Sequence, residues 1–217
     1  LALPLIRRLR RHLSRCGSVS SSSARILSNV SYGMTDCTDT GNIIAELIKY
    51  GGYQLIIDAD GLNSIKNRPE LLKSAALPPV ITPHIGEMAR LTGASADAIK
   101  SDREKTAAEF SRKYNCITVL KDCKTVISSP EGKLFVCDRP NAGLAKGGSG
   151  DVLSGIISSF AAQGYDAFDA AVCGAALHSL AAESAREKLT EYSMLPSDIV
   201  AEIPGVFARI GKTRNYR

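Results

Sequence analysis

NAGLAKGGSGDVLSGII, residues 141–157, places five glycines before and within the start of an apolar segment. Glycine has no Cβ, so its backbone N–H groups can turn toward a ligand without obstruction. The start of a helix adds unpaired N–H donors and the positive end of the helix dipole. A glycine-rich loop that opens a helix is therefore suited to hold phosphate. It is not a Walker A loop, since no Gly-Lys-Ser/Thr follows at the required spacing, and it does not match GxGxxG.

An acid, Asp151, follows this loop directly. In one interpretation it caps the helix by accepting hydrogen bonds from backbone N–H groups of the first turn. In the other it is a general base, which takes the proton of a substrate hydroxyl as that oxygen attacks a phosphoryl group. An acid inside a phosphate site is electrostatically unfavourable unless it has such a role. The spacing leaves both interpretations open.

Apolar runs of strand length alternate with helical patterns along the chain. The runs predict strands over residues 54–58, 80–82, 116–120, 125–128 and 134–137, with a polar turn over 59–63 and a hairpin between the last two strands. Helices are predicted over residues 42–50, 101–114, 151–163 and 168–187, with a capping box at 101–104. Strands that are apolar throughout are typical of a parallel sheet with helices on both faces. The sequence thus predicts an α/β domain.

Polar motifs follow several of these strands at the point where each strand ends. They are Asp58-Ala59-Asp60, Thr82-Pro83-His84 and Lys121-Asp122. Because ligands of open parallel sheets bind outside the carboxyl ends of the strands, we expect these motifs and the glycine loop to share one edge. Asp58, Asp60 and Asn63 are expected to support the site or to cap the turn after their strand.

The formal net charge of +5 is concentrated near the amino end of the 217-residue chain. Residues 1–35 hold six arginines and no acid, while the rest carries 21 basic against 22 acidic residues. This balance argues against a nucleic-acid partner, and no run of about 18 apolar residues predicts a membrane span. The six cysteines form no CxxC pair, so no metal site is predicted. Scattered thiols of this kind are typical of a cytoplasmic protein.

Residues 1–32 are predicted to be a basic, Arg- and Ser-rich tail, and residues 33–217 to be the domain. The composition of the tail fits an organelle transit peptide. It also fits a truncated or mistranslated gene start, or a basic amphipathic helix for anionic lipid. The sequence does not decide among these alternatives.

Five segments of the domain together resemble one protein family. They are LIIDADGLN (55–63), ITPHIGEMARLTG (81–93), VLKDCKTVI (119–127), NAGLAKGGSGDVLSG (141–155) and MLPSDIVAEIP (194–204). GGSGD with the helix after it is similar to the ribokinase-like superfamily. TPHIGEMARL with GLAKGGSGD resembles its NAD(P)H-hydrate dehydratases, also called the YjeF C-terminal domain family. The resemblance runs from about Gly33 to the end of the chain and implies a mostly parallel central sheet flanked by helices on both faces.

The resemblance also implies a repair reaction. NADH and NADPH hydrate spontaneously at the nicotinamide ring, and the family phosphorylates the resulting hydroxyl from ADP or ATP and then eliminates phosphate. The expected substrate is NAD(P)H hydrate, the expected co-substrate is ADP (giving AMP) or ATP (giving ADP), and Mg²⁺ is expected with the nucleotide. A homo-oligomer, a tetramer by resemblance, is also implied.

Carried over position by position, the resemblance implies that Asp151 is the catalytic base at the hydrate hydroxyl. The residues implied for the nucleotide are Lys121, Asp122, Cys123, Lys124, Thr125, Asn141, Gly143, Leu144, Ala145, Lys146, Gly147, Gly148, Ser149 and Gly150. Those implied for the hydrated dinucleotide are Gly33, His84, Gly86, Glu87 and Asp151.

The chain departs from the family pattern at three places. Asp122 stands where the family usually has Gly after Lys, and Lys146 stands where Thr is frequent, so both positions concern nucleotide affinity. Family members also carry a longer amino-terminal segment, so the first strands are expected to be replaced or missing. The alternatives are a catalytically impaired nucleotide-binding fragment and another ribokinase-like small-molecule kinase.

Overall fold

The computed structural model describes residues 27–30, 38–52 and 54–212. Its strands are β1 (Leu27–Val30), β2 (Gln54–Ile57), β3 (Val80–Ile81), β4 (Ile117–Leu120), β5 (Thr125–Ser128) and β6 (Leu134–Cys137). Its helices are α1 (Thr38–Tyr50), α2 (Ala59–Ile65), α3 (Ile85–Thr92), α4 (Ala96–Ser101), α5 (Arg103–Tyr114), α6 (Ser149–Ala162), α7 (Ala167–Ser193) and α8 (Pro196–Lys212). Short 3₁₀ turns span Pro69–Ser74 and Ala142–Leu144. None of the helices in this part of the chain is long and apolar enough to cross a membrane.

The described strands form one six-stranded sheet whose order follows the chain, from β1 to β6. Strands β1 to β4 are parallel, whereas β5 and β6 continue the sheet antiparallel. This confirms the predicted α/β class with a mostly parallel sheet. Strand β1 falls inside residues 1–32, so this part of the predicted tail joins the sheet beside β2.

Helices cover both faces of the sheet. Neighbouring residues of a strand point to opposite faces, so each strand contributes side chains to both helical layers. On one face Ile56 and Ile127 pack with the apolar side chains of α6, α7 and α8. On the other face Leu55 and Val126 pack with those of α1 to α5. These alternating burial patterns explain why the strands are apolar throughout, as predicted for a sheet between two helical layers.

Helices α6 and α7 pack at unusually close range through a glycine. A Cβ at Gly174 would lie 2.5 Å from Ile157 Cγ1 and 3.2 Å from Ile157 Cα. Any larger side chain would therefore push the two helices apart. Since α6 begins with the glycine-rich loop, this contact fixes the position of the loop relative to the core.

Two predictions about helix starts are wrong. Ser101 does not open α5, because Asp102 is its N-cap and accepts a hydrogen bond from the Lys105 backbone N–H at 3.1 Å. The predicted polar turn over residues 59–63 is helical and belongs to α2. The Asp58 side chain caps that helix, since it accepts a hydrogen bond from the first backbone N–H, that of Ala59, at 2.9 Å.

Candidate functional site

The carboxyl ends of β2, β3 and β4 meet the first turn of α6 at one edge of the sheet. Lys121 Nζ donates to Oδ1 of the buried Asp58 at 2.8 Å. The Lys121 backbone N–H donates to Pro83 O at 2.8 Å, which places Lys121 beside His84. A Cβ at Gly150 would lie 3.3 Å from Lys121 Nζ and 3.5 Å from Asp58 Oδ2. The first turn of α6 thus lies directly over the Lys121–Asp58 ion pair, in which Asp58 is buried and Lys121 is partly exposed.

A cleft of about 790 Å³ opens at this edge, a volume typical of small-molecule sites. Most residues predicted for the nucleotide line it, and so does His84. The predicted residues in its wall are His84, Lys121, Asp122, Cys123, Thr125, Asn141, Leu144, Ala145, Lys146, Ser149 and Gly150. The structure therefore brings these residues of the sequence prediction together at one place.

The remaining residues predicted for the nucleotide lie behind or beside this wall. Lys124 Nζ pairs with the Asp138 carboxylate at 2.7 Å on the surface. Gly143 packs so closely on Met194 that a Cβ would overlap its side chain. Gly147 and Gly148 are in the turn before α6, where Gly148 has the left-handed φ of 91°. Gly33, predicted to touch the dinucleotide, lies outside the described residues.

Asp151 lies in the first turn of α6, three residues after the N-cap rather than at it. The N-cap is Gly148, which has no side chain to bond the backbone. The predicted cap position for Asp151 is therefore wrong, because the left-handed glycine starts the helix earlier than the sequence indicates. The exposed Asp151 side chain follows Gly150, the residue that covers the ion pair.

His84, Gly86 and Glu87 form a capping box at the start of α3. His84 Nδ1 accepts from the Gly86 N–H at 2.9 Å and from the Glu87 N–H at 3.3 Å, while Glu87 Oε2 accepts from the His84 N–H at 2.8 Å. Because Nδ1 is an acceptor, the proton of the neutral ring is on Nε2. The box thus fixes the orientation of a histidine that lines the cleft. Gly86 and Glu87 do not line the cleft, and their hydrogen bonds hold His84 in place.

Of the three residues predicted to support the site, only Asp58 takes part in the ion pair with Lys121. Asn63 Oδ1 instead accepts from Arg90 Nε at 2.9 Å and ties α2 to α3. Asp60 is in the first turn of α2, where a negative charge interacts favourably with the positive end of the helix dipole.

Asp122, the acid in place of the family's glycine, is neutralised by Arg103 of α5. Arg103 Nε donates to Asp122 Oδ2 at 2.8 Å. Burial raises the pKa of this carboxyl, but the hydrogen bond and charge of Arg103, together with the Cys123 backbone and the Lys100 charge, outweigh burial and hold the pKa below its ordinary value. Asp122 is therefore ionised and paired at the rim of the cleft.

Lys146, the lysine in place of the family's threonine, bonds the end of α7. Its Nζ donates to Tyr192 O at 2.9 Å and to Met194 O at 2.7 Å. Thr190, just before these carbonyls, has φ 64°, which breaks the regular helix. The ammonium group thus satisfies carbonyls that the break leaves without helical partners, and it joins the glycine loop to the α7–α8 junction.

Several residues of the cleft wall were missed by the sequence analysis. They include Arg139, which pairs with Glu183, and the α7 residues Ala175, His178 and Ser179. The α7 residues have the spacing i, i+3, i+4 of one helix face. Two polar residues at that spacing inside an apolar run were the available signal.

The described residues have a ribokinase-like fold. The chain resembles the ADP/ATP-dependent NAD(P)H-hydrate dehydratase of Bacillus subtilis co-crystallised with ATP/Mg²⁺, with a TM-score of 0.77, 24% identity, and coverage of 91% of this chain and 69% of that one. The hydroxyethylthiazole kinase of Pyrococcus horikoshii is more distant, with a TM-score of 0.54 and 15% identity over 92% of this chain and 90% of that one. These likenesses show the fold.

The family follows from sequence. Residues 38–205 match the family described as NAD(P)H-hydrate dehydratase, and the chain belongs to it. The ADP-dependent (S)-NAD(P)H-hydrate dehydratase of Xanthomonas campestris is 32% identical over 82% of this chain and 60% of its own length. The bifunctional NAD(P)H-hydrate repair enzyme Nnr of Moorella thermoacetica is 35% identical over 82% of this chain and 34% of its own length. The chain thus spans between about a third and three fifths of these two relatives.

Proposed function

We propose that this protein dehydrates NAD(P)H hydrate to NAD(P)H at the expense of a nucleoside di- or triphosphate. The observation that carries the proposal is the first turn of α6, where Gly150 rests on the Lys121–Asp58 pair and the acid Asp151 follows it. A helix start and an ammonium group favour phosphate there, and a carboxylate beside them suits a base for an attacking hydroxyl. Membership of the hydrate dehydratase family supports the choice of substrate.

The proposed reaction has two steps. The hydroxyl oxygen of the hydrate attacks the terminal phosphoryl group, its proton passes to Asp151, and the bond to the leaving nucleotide oxygen breaks. ADP would give AMP in this step, and ATP would give ADP. The carbon–oxygen bond of the hydrate then breaks, phosphate leaves with the electron pair, and the neighbouring ring carbon loses a proton. The N–H groups at the start of α6 offset the phosphate charge in both steps, and Lys121 cancels the charge of Asp58 beside them.

Magnesium fits this site as a companion of the nucleotide. The described residues contain no group of three or more His, Cys, Asp and Glu side chains that could hold a metal ion by themselves. Mg²⁺ is usually bound by one or two carboxylates together with substrate phosphates. Asp58 is the carboxylate that faces the start of α6, so it would hold an ion that arrives on the nucleotide. Bound there, Mg²⁺ would neutralise charge on the transferred phosphoryl group.

The proposal is tested by Asp151→Asn in an assay that follows the return of reduced-nicotinamide absorbance from the hydrate with ADP and Mg²⁺. We expect the variant to lose at least about a hundredfold in rate, since a general base is removed, and still to bind ADP. Asp169→Asn is the matched control, because Asp169 occupies the same first-turn position in α7; neither acid is among the described residues of the cleft wall, so the comparison isolates the place of Asp151 beside the glycine-rich loop. Full activity of Asp151→Asn, or no activity of the unchanged chain, would refute the proposal.

We further propose a cytoplasmic homo-oligomer without a nucleic-acid partner. Large apolar side chains are exposed late in α7, in the junction after it and along α8, which favours association with another protein surface. They are Leu189, Tyr192, Leu195, Val200 and Phe207.

A further inference from the structure

Arg139 is a charged residue of the cleft wall that the proposed reaction does not use. It follows β6, and its side chain is only 16% exposed. The segment after β6 is bonded to α7 at two alternate residues, since Arg139 Nη1 donates to Glu183 Oε2 and Asn141 Nδ2 donates to Ala182 O at 3.1 Å. These bonds give the guanidinium group a fixed place between the helix and the cleft.

Most N–H donors of Arg139 have no hydrogen-bond partner among the described residues. Arginine has five N–H donors on three nitrogens, and Glu183 accepts from Nη1 alone. Nε and Nη2 are not among the fully enclosed polar atoms that lack a partner, so both can be reached from outside the protein. Since Arg139 is part of the cleft wall, these donors are available to a molecule that fills the cleft.

The topology of the sheet separates Arg139 from the start of α6. Strand β5 is antiparallel to both β4 and β6, so β6 runs in the direction of β4 and ends at the same edge. Neighbouring strands lie about 4.8 Å apart, which puts the end of β6 about 10 Å from the end of β4. The first turn of α6 lies over Lys121, the residue after β4, and over Asp58. Arg139 is therefore placed for the part of a ligand that extends beyond its phosphates.

The surroundings of Arg139 suit an uncharged group. Glu183 offsets its charge, so the pair has no net charge to attract a phosphate. Pro140, Ala142 and Leu144, which follow it in the chain and in the wall, add apolar surface. A guanidinium group donates hydrogen bonds in its plane and stacks on aromatic rings. A nucleoside, which has a flat base and several acceptor atoms, matches both properties.

We propose that Arg139 binds the nucleoside part of the nucleotide, with Nε and Nη2 donating to acceptor atoms of the base or ribose. The choice of a nucleotide as the ligand rests on the proposed function. Arg139 is thus a specificity-determining residue, which distinguishes a nucleotide from a bare phosphate or pyrophosphate.

The test compares the affinity for ADP with that for pyrophosphate, which lacks the nucleoside, by titration calorimetry. Arg139→Met keeps an unbranched side chain but removes every donor. It should weaken ADP binding roughly tenfold, the effect of losing one hydrogen bond from a charged group, and leave pyrophosphate binding unchanged. Arg186→Met is the matched control, because Arg186 also pairs with a glutamate of α7 and does not line the cleft. It should bind both ligands normally.

A second variant separates nucleoside binding from the ion pair itself. Glu183→Gln removes the charge of the pair but leaves an oxygen that accepts from Arg139, so ADP affinity should stay within about twofold of the unchanged chain. Equal losses in Glu183→Gln and Arg139→Met would overturn the inference. Normal ADP affinity in Arg139→Met, or a parallel loss of pyrophosphate affinity, would overturn it as well. If thermal melting shows that Arg139→Met does not fold, Arg139→Gln takes its place.

The binding measurements do not depend on turnover. If they come out as expected but the unchanged chain does not restore NADH from its hydrate, the proposed function fails and the inference stands. If NADH is restored and Arg139→Met binds ADP normally, the proposed function stands and the inference fails. If the unchanged chain binds no ADP, the inference fails.

Discussion

At the scale of single residues, two charges of the cleft wall, Lys121 and Asp122, have an ion-pair partner. Lys121 bonds Asp58 beneath α6, and Arg103 bonds Asp122 at the rim. A lone buried Asp58 would repel phosphate, whereas the pair leaves the nearby backbone donors to act on an anion. The same reasoning explains how the chain accommodates an acid at residue 122, where the family usually has glycine.

The second pair leads to a prediction about Arg103. Arg103→Ala leaves the Asp122 charge unpaired at the rim, so ADP affinity should fall about three- to tenfold, the modest range expected for a partly exposed charge. The double variant Arg103→Ala/Asp122→Gly removes that charge and should restore most of the affinity. Titration of both variants with ADP measures the coupling. An unchanged affinity in Arg103→Ala, or no recovery in the double variant, would contradict this account.

At the scale of elements, the start of α6 is held from two sides. Gly174 lets α7 approach Ile157 closely, and Lys146 ties the glycine loop to the carbonyls at the end of α7. The phosphate-binding geometry thus depends on contacts of α7 that are distant in sequence from the loop.

Lys146 therefore contributes to stability as well as to the site. Lys146→Met removes two hydrogen bonds from an ammonium to helix-end carbonyls, and the free energy of unfolding should fall by roughly 1–2 kcal/mol. Lys188→Met is the control, since it removes an exposed ion pair with Glu202 that also joins α7 and α8. Urea denaturation of both variants gives the comparison. Equal losses would mean that the bonds of Lys146 have no special effect.

The sequence predicts some elements better than others for physical reasons. Strands β5 and β6 have their predicted bounds, because short apolar runs flank a clear turn. Helix α2 was missed since its polar start at residues 59–63 has the composition of a turn. The Lys121–Asp58 pair joins residues 63 apart, and no local pattern reveals it. His178 is not among the predicted site residues because its neighbours in sequence are apolar, and only the folded chain places it in the cleft wall.

At the scale of the whole molecule, the depressed pKa of His178 links stability to pH. The unfolded chain has the ordinary pKa of 6.5 and takes up a proton more readily than the folded chain, whose pKa is about 4. Stability is therefore fully present above pH 6.5 and falls as the pH drops toward 4, by up to roughly 3 kcal/mol. Chemical denaturation across this range should show the slope in the unchanged chain and a smaller one in His178→Leu. Parallel slopes would contradict the assignment.

The hairpin of β5 and β6 has a consequence for how the cleft is assembled. Apart from His84, Ile85 and Lys100, every described residue of its wall lies between Lys121 and Ser179. Loop-closure entropy grows only slowly with the length of the loop, so closing this stretch and closing the chain back to Asp58, 63 residues from Lys121, cost about the same. A chain that has formed the stretch but not the Lys121–Asp58 salt bridge would have most of the cleft wall without its connection to the earlier strands.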